Sequence, residues 1–153
     1  MRLRSLIFLC TRLALGAVFI AASVDKILHP GDFAQIIHNY QILPDNLINI
    51  VAIALPWLEA VLGVFIIAGI FLPGAAALAN VLLLVFFSAL IYNVARGLDV
   101  HCGCFSTKVT GAPHTTWYII RDSLFLLLGI ALMAQVFRTG RGRSSRPGRL
   151  ELS

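Results

Sequence analysis

The chain alternates long apolar stretches with short polar segments, and the lengths of the apolar stretches indicate its architecture. Four stretches are almost free of charge, at about 6–24, 47–72, 74–92 and 117–137. A helix needs about twenty apolar residues to cross the hydrocarbon core, because every peptide group must be hydrogen-bonded within the segment. The pattern therefore predicts an all-α integral membrane protein, a four-helix bundle within residues 1–137.

Proline, glycine and alanine indicate where these predicted helices turn and where they pack against each other. Pro73-Gly74 separates the second and third spans, which predicts a minimal turn and antiparallel neighbours. Small residues one turn apart allow close approach of helices in lipid, or serve only as filler. Two such pairs occur: Ala17 with Ala21, and Ala75 with Ala79.

Two further segments are interpreted from their patterns. Residues 33–40 carry apolar side chains at helical spacing, which predicts a short amphipathic helix on the membrane interface or packed against the bundle. The basic start MRLRSLIFLC resembles a signal peptide, but Arg12 interrupts the apolar run and no clean small-x-small site is followed by a polar mature start. We therefore expect a retained membrane anchor.

Composition supports a bilayer as the solvent. The chain is 59% hydrophobic and 12% charged, about half the charged share of a soluble domain. The formal net charge is +5, but five arginines crowd the last sixteen residues among Gly, Ser and Pro. Residues 138–153 are thus predicted to be a disordered basic tail attracted to anionic headgroups, and no nucleic-acid partner is expected.

The distribution of lysine and arginine predicts the orientation. With both termini inside, the inner segments hold seven basic residues and the two outer loops hold three. The positive-inside rule therefore favours cytoplasmic termini in the inner or plasma membrane. Residues 25–46 and 96–116 then lie outside the cytoplasm.

The second outer loop contains HCGCFST, with Cys102 and Cys104 one glycine apart. Thiols outside the cytosol tend to oxidise, so the two are expected to form a disulfide. Closure across one residue departs from relaxed geometry, and strain favours exchange over bracing. His101, as an imidazolium, would raise the thiolate fraction of Cys102. A thiol-disulfide oxidoreductase is therefore one hypothesis.

Two alternatives stay open for this segment. The bridge could be purely structural, in a membrane assembly factor for an exported protein. A zinc or copper(I) site is the other, although a Cys-x-Cys gap is short for zinc. Its ligands would be His101, Cys102, Cys104 and His114. Cys10, far along the chain, is interpreted as a buried, inert thiol.

Charged residues within the predicted spans form a second candidate site. Glu59, Arg121 and Asp122 are costly in lipid and should face the bundle interior. Helix geometry puts Glu59 and Arg121 at a similar depth, which predicts an ion pair between them, with Asp122 on another side of its helix. This polar layer is either a clasp between helices or a pocket for a quinone head or a proton relay. Arg12 is expected to extend to the cytoplasmic headgroups.

Together these residues resemble the DoxX-like membrane proteins. The shared pattern has Lys26 and Pro30 after the first span, Tyr40 and Pro44 before the second, and Pro56-Trp57-Leu58-Glu59 within the second. Cys102-Gly103-Cys104-Phe105 followed by Arg121-Asp122 narrows the resemblance to the MauE branch, the methylamine utilisation proteins, over about residues 5–137. Ser106 stands where this branch often has glycine.

The resemblance implies a role in redox maturation of exported proteins. MauE-like proteins are associated with processing, transport or disulfide formation of the small subunit of methylamine dehydrogenase. An exported thiol protein or a thioredoxin-like protein is therefore the implied partner. Other DoxX-like proteins serve thiosulfate:quinone oxidoreductases, so the resemblance leaves the cofactor open, with a quinone as one option.

Overall fold

Five helices make up the part of the chain that the computed structural model describes, residues 2–97 and 115–144. In chain order they are α1 (Arg2–Leu28), α2 (Pro30–Tyr40), α3 (Asp45–Ala68), α4 (Leu72–Ala95) and α5 (Thr115–Ser144). All but α2 are long and apolar enough to cross a membrane, which confirms the predicted spans and fold class. With four spans, the start of α1 and the end of α5 share one membrane face, here called the terminal face. The other is called the loop face.

The four spanning helices form a closed ring, in which each packs against two neighbours. The order around the ring is α1, α3, α4, α5, and α5 returns to α1. Buried residues from all four helices form one core: Leu15, Phe19, Leu62, Ile66, Ala75, Ala76, Ala79, Leu82, Leu132 and Val136. Large apolar side chains on the outside, such as Trp57, Val81 and Leu124, are exposed on the surface that lipid covers.

The closest helix contact joins α1 and α3 through two glycines. A Cβ on Gly63 would stand 3.0 Å from the Gly16 carbonyl oxygen, and a Cβ on Gly16 would stand 3.0 Å from the Gly63 carbonyl oxygen. Ile20 and Ile67 fill the remaining space beside them. Small residues let helix backbones approach in lipid, where no hydrophobic force draws helices together. This reciprocal contact fixes how α1 and α3 cross.

The two predicted alanine pairs differ in burial. Ala75 and Ala79 are buried in the core, as expected for residues at a helix contact. Ala17 and Ala21 are exposed, so the expectation of close approach there is wrong. They point away from α3 because the neighbouring Gly16 already occupies the contact face.

A polar contact joins α4 to α5. The Nδ2 atom of Asn80 donates to the Ala76 carbonyl at 2.7 Å on its own helix and to the Gly129 carbonyl at 3.0 Å on α5. A side chain at Gly129 would meet Asn80 Oδ1 at 2.7 Å. Interhelical hydrogen bonds of this kind stabilise helix association in lipid.

The turn between α3 and α4 lies earlier than predicted. Gly69 adopts a left-handed φ of +76° and ends α3, and its N–H donates to the Phe65 carbonyl at 2.8 Å. Pro73-Gly74 instead falls within the first turn of α4, so the predicted position of the turn is wrong. Proline is tolerated there because a first-turn N–H has no helical partner in any case.

Arg12 does not extend to the headgroups as expected. Its Nη2 donates to the Ile67 carbonyl at 2.9 Å, and the guanidinium lies beside Gly69. The last carbonyls of a helix lack intrahelical donors and carry partial negative charge. The arginine therefore caps α3 from α1.

The remaining predictions concern α2 and the tail. Phe33 and Ile36 of α2 are buried, and α2 packs against α3, so the predicted amphipathic helix exists and packs on the bundle. α5 continues to Ser144, so the first part of the predicted tail is helical. Residues 145–153 lie outside the described residues.

The glycine contact predicts a specific packing defect. Gly63→Ala should lower the free energy of unfolding by about 1 to 3 kcal/mol, because the new methyl group pushes α1 from α3. Gly74→Ala is the matched control, since a Cβ there meets nothing within 4 Å. Thermal unfolding of the two purified variants in detergent measures the difference. Equal midpoints would contradict the close contact.

Candidate functional site

Three buried ionisable side chains from three helices surround one small cavity. Lys26 of α1, Glu59 of α3 and Asp122 of α5 line a space of about 30 Å³, with apolar side chains of α1, α4 and α5 as the other walls. The exposed fractions of Lys26, Glu59 and Asp122 are 2%, 2% and 7%. The space suits about one or two water molecules. We call these three residues, with Arg121, the charged cluster.

Lys26 and Glu59 form a bidentate ion pair. The Lys26 ammonium donates to both carboxylate oxygens of Glu59, at 2.7 and 2.8 Å. Neither charge would be tolerated alone at this depth, because an uncompensated buried charge costs several kcal/mol. The pair thus joins the end of α1 to the middle of α3.

Two aromatic rings complete the surroundings of the ammonium. The Nζ atom of Lys26 lies 5.0 Å from the ring centroids of Phe33 on α2 and Phe86 on α4. Cation–π attraction is strongest where the cation is desolvated, as it is here. Side chains of α2, α3 and α4 therefore contact the cation that α1 supplies.

Arg121 and Asp122 pair with each other. Nε and Nη2 of Arg121 both donate to Asp122 Oδ1, at 3.0 and 2.8 Å. The Arg121 guanidinium lies 5.2 Å from the Tyr118 ring and 6.0 Å from the Phe125 ring, which belong to the adjacent turns of α5. Asp122, more buried than Arg121, is the α5 carboxylate that faces the cavity.

The predicted Glu59–Arg121 ion pair is therefore wrong. Glu59 is bonded to Lys26, a residue of the segment 25–46 that was expected to lie outside the membrane. Of the predicted layer of Glu59, Arg121 and Asp122, Glu59 and Asp122 line the cavity. A lysine side chain reaches several ångströms beyond its backbone, so a boundary lysine can enter a span's interior. The length of the lysine side chain is therefore the feature that could have identified Lys26 as the partner of Glu59.

Tyr40 and Arg96 lie above the cluster at the loop face. Burial raises the pKa of Tyr40 above its ordinary value, and the negative charge of Asp122 raises it further. The phenol thus stays protonated and keeps its capacity to donate. Arg96, after the end of α4, donates to the Tyr40 carbonyl at 3.4 Å and to Gln41 Oε1 at 3.3 Å. These contacts hold the end of α2 against α4.

A second, larger cavity adjoins the cluster. It has a volume of about 240 Å³ between α2, α3 and α4, and its walls include Ile36, Leu55 and Val85. Lys26 and Phe86 line this cavity as well as the small one. An apolar ring or chain would fit between these helices, with the ion pair at one side.

The predicted cysteine site falls in the segment between α4 and α5. Residues 98–114, which include His101, Cys102, Cys104 and His114, lie outside the described residues. The redox role and the alternative metal site both fall on them. Cys10 is described, and it is exposed on the outer surface of α1, so the expectation that it is buried is wrong.

Comparison with known proteins identifies related chains. The family model of the methylamine utilisation protein MauE matches residues 4–135. The methylamine utilization protein MauE of Paracoccus denitrificans is 34% identical over 122 residues, which is 79% of this chain and 65% of the relative. The protein of the same name from Methylophilus methylotrophus is 32% identical over 110 residues, 71% of this chain and 58% of the relative.

A third relative of the same name, from Methylorubrum extorquens, is 35% identical over 86 residues, 56% of this chain and 46% of the relative. The chain thus spans about half to two thirds of the length of the curated relatives that it matches. No solved structure matches the chain.

The ion pair predicts an asymmetric response to substitution. Lys26→Met should lower the free energy of unfolding by about 3 to 5 kcal/mol, because it leaves Glu59 buried without a partner. The double variant Lys26→Met/Glu59→Leu should recover most of that loss. Chemical or thermal unfolding in detergent measures both.

Asp45→Asn is the control, since Asp45 forms a surface pair with His38 and is 88% exposed. It should change stability little, because exposed ion pairs contribute little. A single Lys26→Met variant as stable as the wild type would contradict the ion pair.

Proposed function

Because the chain belongs to the MauE family of methylamine utilisation proteins, we propose that it is a membrane component of redox maturation. In this proposal Cys102 and Cys104 exchange disulfides with exported proteins on the outer side of the membrane. The chain is a multi-pass membrane protein. Its client is an exported protein of methylamine metabolism, the small subunit of methylamine dehydrogenase or a similar protein.

One observation carries the proposal: the helices that flank the cysteine segment converge on the charged cluster. α4 ends at Ala95 and α5 begins at Thr115, both at the loop face, so the segment between them starts and ends at that face. Asp122 lies seven residues into α5, about 10 Å along the helix axis. We therefore assign the exchange to this face, beneath which buried carboxylates line a water-sized cavity.

The exchange takes place in two steps, each of which conserves atoms and electrons. A client thiolate attacks one sulfur of the Cys102–Cys104 disulfide, and a mixed disulfide forms while the other sulfur leaves as a thiolate. The second client thiolate then attacks the mixed disulfide and releases the oxidised client. Two electrons pass from the client to the cysteine pair, and the two client protons end on Cys102 and Cys104. His101 would favour the thiolate form of Cys102 during these steps.

Reoxidation of the pair needs a two-electron acceptor, and a membrane quinone is the chemical class proposed. The dithiol would lose two electrons and two protons, and the quinone would become a quinol. The apolar cavity beside Lys26 is large enough to hold the apolar ring or chain of a quinone. The carboxylates Glu59 and Asp122 would accept and release the protons that move in this step, while the cations Lys26 and Arg121 stabilise their charged forms.

The proposal requires that the loop face is outside. Seven basic residues in the segments at the terminal face against three at the loop face support cytoplasmic termini. The membrane would be the bacterial inner membrane or its equivalent, where disulfide formation takes place on the outer side.

Trapping of a mixed disulfide tests the exchange. Cys102→Ser and Cys104→Ser each remove one sulfur, so at least one variant should accumulate a mixed disulfide with an exported protein. A reducing agent should release that protein on a second gel dimension. Cys10→Ser is the matched control, and it should behave as the wild type because Cys10 is on α1 near the terminal face.

If neither variant traps a partner, and both still support maturation of the client, thiol exchange is excluded. The chain would then act as an assembly factor that holds its client without redox chemistry. Under that outcome, substitutions in the charged cluster would still abolish maturation.

Sidedness is tested separately by thiol labelling of intact cells. Cys102 and Cys104 should react with a membrane-impermeant maleimide only after treatment with a reducing agent, since the oxidised pair has no free thiol. A single cysteine introduced at Ser144, at the end of α5, should react only with a permeant reagent. The reverse pattern would place the loop face in the cytoplasm and overturn the proposed orientation.

A further inference from the structure

A separate cleft opens at the terminal face, far from the charged cluster. It lies between the first turns of α1 and the last turns of the spanning part of α5, and its volume is about 440 Å³. Its walls are Arg4, Ile7 and Phe8 from α1, and Gln135 and Arg138 from α5. Two arginines from different helices thus face one space.

Within the described residues, no carboxylate balances the positive charges of this cleft. Among residues 2–97 and 115–144, neither Arg4 nor Arg138 forms an ion pair with a carboxylate. The acidic residues of these ranges are Asp25, Asp32, Asp45, Glu59 and Asp122. Glu59 is nine residues from the end of α3 at this face, a distance of about 14 Å along the helix.

Two guanidinium groups that share a cleft repel each other unless an anion lies between them. Guanidinium groups bind phosphate oxygens through two parallel N–H···O bonds. Basic clefts between spanning helices at the cytoplasmic side bind the headgroups of anionic lipids. The electrostatics therefore favour a phosphoester anion.

The apolar walls indicate which source of phosphate fits. Ile7 is 49% exposed, and Phe8 is half-buried beside it. Both belong to the turn of α1 that follows Arg4 toward the membrane interior, at a depth where acyl chains begin. A lipid would contact both the arginines and the apolar walls of the cleft, whereas inorganic phosphate would contact only the arginines.

We propose that this cleft between α1 and α5 binds the phosphodiester headgroup of an anionic phospholipid, with Arg4 and Arg138 on the phosphate and Ile7 and Phe8 along an acyl chain. The site is independent of the redox proposal, because it shares no residue with the charged cluster or the cysteine segment. Its occupancy would tie the start of α1 to the end of α5 and close the helix ring at this face.

Thermal unfolding of the full chain in detergent tests the site. Short-chain phosphatidylglycerol is titrated into the wild type, the double variant Arg4→Gln/Arg138→Gln, and the control Arg96→Gln, which loses an arginine at the loop face. Phosphatidylglycerol should raise the unfolding midpoint of the wild type and the control in a saturable manner. Each arginine removed from the cleft should weaken the apparent affinity by about fivefold.

Two further titrations separate the possible ligands. Short-chain phosphatidylcholine, which has no net charge, should give little shift, and inorganic phosphate alone should give none. Phosphate that reproduces the shift would overturn a lipid site, and so would equal protection of all three proteins by phosphatidylglycerol. Both cleft arginines are exposed, so the double variant should match the wild-type midpoint without lipid. If the midpoint of the double variant differs from that of the wild type, the single variants Arg4→Gln and Arg138→Gln are titrated in its place.

Discussion

The Lys26 ammonium is the group around which the loop-face half of the bundle is organised. An ammonium in lipid needs a counter-charge and an environment that replaces water. Glu59 of α3 supplies the charge, and Phe33 of α2 and Phe86 of α4 supply the rings. Asp122 of α5 lies on the same cavity. Each helix therefore has a defined rotation about its axis, since turning any of them would remove one of these groups from the cation.

Span lengths and the existence of α2 could be predicted from the sequence because they depend on local composition. Twenty apolar residues and a helical repeat at 33–40 are visible without knowledge of any neighbour. Helix ends do not follow from local composition, because they depend on contacts between helices. Arg12 caps α3 across 55 residues of sequence, and the turn at Gly69 depends on a backbone conformation that the nearby Pro73-Gly74 obscured.

The partners within the candidate site were harder to predict, because they depend on helix rotation. Glu59 and Asp122 were recognised as interior residues, since charges in spans face inward. The depth of Glu59 in the membrane is compatible with either Lys26 or Arg121 as its partner. Arg121 is held by rings three and four residues away on its own helix, whereas Lys26 reaches inward from the last turn of α1. The glycines that fix the α1–α3 crossing lie 47 residues apart in sequence, Gly16 and Gly63, so no local pattern reveals them.

The α1–α3 contact has a consequence for how the protein enters its membrane. Both members of the buried ion pair, and both glycines of the close crossing, belong to α1 and α3, which leave the ribosome before α4 and α5. The α1–α3 hairpin can therefore neutralise its own charges before α4 and α5 are synthesised. It then enters lipid as a unit with no net charge at the pair, and the insertion machinery need not shield a lone lysine or glutamate while the rest of the chain is made.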